Sequence, residues 1–228
     1  TGTNLVSNSG AANDVAVSLL TLTGEGGSYA LTSSAVEVTS ATSFSVTLNA
    51  ADQLVVRGLL NKDGTISSSA TTYNVAAAED WMAGSATSIA VADLAGNGIT
   101  VSNVQTPAIT SATYDSGILV VTGTNLFNKV GANNDIDIST LTLTGGTASA
   151  TYTITSASDV EITSATSFSV TLTGADKTSV DALLDQIGTT SSGGSTYNLA
   201  AADNWLAGAN ATPDISDATN AITVSINP

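Results

Sequence analysis

The residues richest in coordination chemistry are the run Asn133-Asn134-Asp135-Ile136-Asp137. Asp135 and Asp137 are two apart, so on a strand they share a face. Carboxylate and amide oxygens of this kind suit Ca2+. Asn134, Asp135 and Asp137 are therefore calcium candidates. Asp14 joins them from the related run Asn13-Asp14-Val15-Ala16, in which Ala16 replaces the second carboxylate. The competing reading is a solvated loop leading into a strand, because the chain has no Asp-x-Asp-x-Asp-Gly loop.

Composition removes most other chemistry. The chain has no His and no Cys. That excludes thiol and imidazole catalysis, the usual zinc sites, and Ser-His or Cys-His nucleophiles. Net charge is −15, with only four Lys and Arg in total. Phosphate backbones and anionic lipid surfaces find too few cations here, so nucleic acid is not an expected partner. No apolar run approaches a membrane span, so no membrane insertion is expected. The chain is 42% apolar but only 4% aromatic. Its core must therefore be built from Val, Ile, Leu and Ala, with Thr and Val favouring a pleated, half-buried surface.

The elements that would carry these groups occur twice. Ser-Ala-Thr-Ser-Phe-Ser-Val-Thr-Leu stands unchanged at residues 40–48 and 164–172. Its strict alternation predicts a strand with an apolar face and a hydroxyl face. Thr-Gly-Thr-Asn-Leu (1–5 and 122–126) and Leu-Thr-Leu-Thr-Gly (20–24 and 141–145) recur in the same order. After the strand the period lengthens: Leu54, Val55, Leu59 and Leu60, then Val180, Leu183, Leu184 and Ile187, predict a short amphipathic helix in each copy. Asn49 or Thr173 would cap it, with Asp52 or Asp176 at the third position of a capping box. Trp81 and Trp205 fall at one repeat position and read as core plugs; exposed, they would read as sugar platforms. Carboxylates also group late in each copy, at Glu79, Asp80 and Asp93, then at Asp203, Asp214 and Asp217. Paired carboxylates can hydrolyse glycosides. Tandem copying of a small domain is a poor route to one preorganised cleft, so an enzyme is not expected.

The two copies divide the chain at residues 1–105 and 106–228. The second opens with Ala108-Ile109-Thr110-Ser111-Ala112-Thr113-Tyr114, a turn at Asp115-Ser116-Gly117, and Ile118-Leu119-Val120-Val121, which reads as a β-hairpin. The first copy has no equivalent before Thr1. Two expectations follow: a slice of a longer array, or strands supplied by a neighbouring molecule.

The segment from Pro107 to Tyr114, followed by Leu119-Val120-Val121-Thr122-Gly123-Thr124-Asn125-Leu126, resembles the start of immunoglobulin-like domains of the IPT/TIG type. The whole unit resembles the Thr/Ser/Gly/Ala-rich, Cys-free, acidic repeats of large bacterial surface adhesins and extracellular filaments. The resemblance implies an all-β chain of two tandem immunoglobulin-like β-sandwich domains, each with a short inserted helix. It also implies a bacterial, extracellular or cell-surface location, a role in extension, assembly or adhesion, and Ca2+ as a stiffening ion. Neighbouring repeats or like subunits are the expected partners. The alternatives are a module binding carbohydrate or another cell surface, and a subunit that polymerises by strand complementation.

Overall fold

The computed structural model describes residues 1–226 except 9, 11, 12, 86–88, 133 and 210–213. The chain is β-rich and divides into two compact units, Thr1–Val104 and Gln105–Pro228. No helix among the described residues is long and apolar enough to cross a membrane.

The first unit contains β1 (Leu20–Gly24), β2 (Gly27–Ala30), α1 (Ala50–Leu59) and β3 (Asn74–Ala77). β1 lies between β2 and β3 and is antiparallel to both. Along β1, Leu20, Leu22 and Gly24 are buried and Thr21 and Thr23 half-buried, as a one-sided strand requires.

The second unit contains β4 (Ala108–Asp115), β5 (Ile118–Thr124), β6 (Leu141–Gly145), β7 (Ala150–Thr153), β8 (Ser167–Thr171), α2 (Gly174–Leu183), β9 (Asn198–Ala201) and β10 (Asp217–Ile226). Its sheet order is β7-β6-β9-β10-β4-β5-β8. β6, β7, β9 and α2 repeat β1, β2, β3 and α1. β4 and β5 form the predicted hairpin. Its two-residue turn, Ser116 and Gly117, has φ of 48° and 101°, the left-handed pair that a tight hairpin needs. β10 serves both halves of the sheet. Its first part is antiparallel to β9 and its second part runs parallel to β4, with an irregularity between Asp217 and Asn220. A strand that changes partners in this way lets a sheet turn over a core.

The helix packs back on the sheet by one repeated contact. Glu25 N–H donates to Leu59 O, and Gly146 N–H donates to Leu183 O, each at 2.8 Å. The approach leaves no room for a side chain: a Cβ on Gly24 would lie 2.2 Å from Leu59 O, and one on Gly145 2.4 Å from Leu183 O. The glycine closing Leu-Thr-Leu-Thr-Gly is thus dictated by the helix end.

One expectation fails locally. Residues 40–48 and 164–172 are identical, yet only the second copy forms a strand, β8. β8 exists because β5 lies beside it. Residues 44–47 have no ladder partner among the described residues. The polypeptide pattern is strand-like in both places; a neighbour makes the difference.

Candidate functional site

Each unit is organised around a buried aspartate at the start of its helix. Asn49 caps α1, its side chain accepting from Asp52 N–H at 2.8 Å. The expected capping box is not completed. Asn49 N–H donates instead to Ser33 Oγ at 2.8 Å, and the Asp52 carboxylate turns to β2 and the bend that follows it. There it accepts from Tyr29 Oη at 3.0 Å, Thr32 N–H at 2.9 Å, Thr32 Oγ1 at 2.7 Å, Ser33 N–H at 2.8 Å and Ser33 Oγ at 2.5 Å. Asp176 repeats this, accepting from Tyr152 Oη at 2.7 Å, Thr155 N–H at 3.0 Å, Ser156 N–H and Oγ at 2.8 Å, and Ala157 N–H at 2.7 Å. Burial opposes ionisation of Asp52, but the donors from Ser33 and Thr32 outweigh it and hold the carboxyl down at about 2. Burial is outweighed at Asp176 too, by Tyr152, Thr155 and Ser156, and its carboxyl sits well below the usual range. Both groups are ionised braces joining helix to sheet.

The calcium candidates occupy different environments. Asp14 and Asp135 are both fully buried. Asp14 accepts from Asn8 N–H at 2.8 Å and Val38 N–H at 3.0 Å, and these bonds, Asn8 first, lower its pKa. Asp135 accepts from Lys129 N–H and Ile162 N–H, each at 2.8 Å. Burial nevertheless raises its pKa, with the nearby Glu161 carboxylate adding to the effect. Asp137 is exposed and accepts from Ser139 N–H at 3.0 Å and Ser139 Oγ at 2.6 Å, capping a single helical turn. Asn134 is exposed, and Asn133 lies outside the described residues. One side-chain partner of Asp135 was not apparent from spacing: the Asn128 amide donates to both Asp135 and Glu161. Among the described residues, no group of three or more Asp, Glu, His or Cys side chains converges to hold a metal ion. The late carboxylates brace loops. Glu79 accepts from Val91 N–H at 3.0 Å, and Asp203 from Ile215 N–H at 3.1 Å.

The two tryptophans share one bond and differ in exposure. Trp81 Nε1–H donates to Val91 O and Trp205 Nε1–H to Ile215 O, each at 2.8 Å. Phe44 lies 6.0 Å from Trp81 and Phe168 lies 6.4 Å from Trp205, ring centre to ring centre. Trp205 is fully buried, whereas Trp81 is half-exposed. Trp81 is open because it lines a groove of about 400 Å³ together with Leu5, Phe44, Val75, Asp93 and Asn97. Strand reading alone did not reveal this groove.

Compared with protein-family models, curated proteins and solved structures, the chain matches none. The groove is mixed in character, with aromatic and aliphatic walls and polar side chains from Thr1, Thr3, Asn4, Asp93 and Asn97. It is suited to burying an apolar segment of polypeptide or the face of a sugar.

Proposed function

We propose that the chain is a structural repeat segment of a bacterial cell-surface adhesin or extracellular filament, made of two immunoglobulin-like β-sandwich units in series. The observation that carries this reading is the repeated brace. Asp52 with Tyr29, Thr32 and Ser33 is reproduced donor for donor by Asp176 with Tyr152, Thr155 and Ser156. Groups that a catalyst would keep available are here engaged in holding a helix to a sheet, twice. A copied unit whose buried charge is internally satisfied serves spacing and mechanical continuity. Antibodies raised against the chain should label intact cells of the source organism under electron microscopy. Labelling that appears only after lysis would refute the surface role.

The half-exposed Trp81 beside Asp93 and Asn97 favours a second reading, carbohydrate binding. A glycan array probed with the whole chain separates the two. The structural reading expects no specific signal; a signal abolished by Trp81→Ala would replace it with the lectin reading.

A further inference from the structure

The open groove of the first unit has a filled counterpart in the same chain. In the second unit β5 lies along β8, with Leu119 opposite Val170 and Val121 opposite Phe168. β4 lies parallel to β10, with Ala112 opposite Ile222 and Tyr114 opposite Val224. The first unit repeats the sequence of both walls: Phe44, which lines the groove, and Val46 stand for Phe168 and Val170, and Ile99 and Val101 stand for Ile222 and Val224. The supports behind the walls match as well. Gly2 N–H donates to Thr42 O as Gly123 N–H does to Thr166 O, and Val101 N–H donates to Gly64 O as Val224 N–H does to Gly188 O, all at 2.8 Å. The difference lies between the walls. Phe168, Val170, Ile222 and Val224 are buried, while Phe44, Val46, Ile99 and Val101 are half-exposed. A row of backbone groups without ladder partners beside an apolar wall is a template for strand addition.

A polar contact points the same way. Asp217 accepts from Ile109 N–H at 3.2 Å, at the start of β4. Its counterpart, Asp93, is exposed and lines the groove. The acceptor for an incoming strand is therefore already in position.

We propose that this groove is the seat of a β-hairpin with the pattern of residues 108–121. Its first strand adds in parallel along residues 99–101, and its second strand adds antiparallel along residues 44–47. The register follows from the second unit: the residue equivalent to Val121 covers Phe44, the one equivalent to Leu119 covers Val46, and the one equivalent to Tyr114 covers Val101. Asp93 receives the first N–H. This inference does not rest on the surface-repeat reading, because groove and hairpin are properties of the chain wherever it resides.

The test adds a synthetic peptide of residues 108–121 to the whole chain. Acrylamide quenching follows Trp81, and hydrogen exchange follows the amides of residues 44–47 and of Thr100, since Ile99 and Val101 N–H already donate to Tyr73 O and Gly64 O. The peptide should shield Trp81 and slow those amides by at least about tenfold. A peptide carrying Leu119→Asp and Val121→Asp should do neither. Asp93→Ala, an exposed change, should weaken peptide binding by at least about fivefold. An isolated hairpin is poorly ordered in water, so a second form places the same residues directly before Thr1. That chain should protect residues 44–47 without added peptide. The proposal falls if residues 44–47 exchange equally fast with and without the attached hairpin. It also falls if an oligosaccharide, or self-association of the unmodified chain, shields Trp81 where the hairpin does not.

Discussion

At the scale of single residues, the buried aspartates Asp52 and Asp176 tie each helix to its sheet. Every partner of Asp176 is a donor, so an amide in its place would set one donor against others. Asp176→Asn should destabilise the second unit by about 2–3 kcal/mol in denaturant titration, whereas Asp137→Asn, at an exposed cap, should stay within about 0.5 kcal/mol. The same carboxyls set an acid limit. The Asp52 carboxyl is lowered from an ordinary 3.8 to about 2, and that of Asp176 is also lowered. Their stabilisation is complete above the ordinary value and is lost as pH falls from about 4 toward 2. Melting temperature should therefore drop steeply across that window, and the drop should flatten in a chain carrying Asp52→Asn and Asp176→Asn. The structural use of these aspartates was legible, because each stands three residues into a helix. The partners were not: which turn lies within reach of a side chain is decided by tertiary packing, and no local spacing encodes it.

At the scale of elements, the identical nine-residue segment is the clearest lesson. Alternation of Phe44, Val46 and Leu48 with Ser45 and Thr47 correctly marks a segment able to form a strand. Whether it does so depends on a partner, present as β5 for residues 167–171 and not found among the described residues for residues 44–47. β-propensity describes fitness for a pleated surface, and pairing supplies the rest. The helices, by contrast, were readable from their own spacing, since their hydrogen bonds are internal. The groove could be anticipated only by comparing copies, because it is defined by residues far apart in sequence. The contact of helix end with strand end is a further element-level constraint. Gly145→Ala would bring a Cβ within 2.4 Å of Leu183 O. It should cost the second unit about 1–3 kcal/mol by overpacking, measured as a lowered denaturation midpoint with an unchanged slope.

At the scale of the whole molecule, the two units carry unequal shares of paired backbone. Among the described residues, the first has a three-stranded sheet and the second a seven-stranded one. Calorimetry should resolve two transitions, with Trp81 becoming fully solvated in the lower and Trp205 in the upper. A single cooperative transition would contradict unequal units. The parallel pairing of β4 with β10 has a mechanical consequence. The second unit begins its strands with β4 and ends them with β10, and the two run side by side in one direction. Tension applied across the unit would pull the start of one strand against the end of the other. That loads the intervening hydrogen bonds together, in shear, rather than peeling them open one at a time. The second unit is thus built to resist stretching. In a chain carrying the hairpin directly before Thr1, tension would enter the first unit through the strand beside residues 99–101, so that filling the groove would turn a soft element into a stiff one.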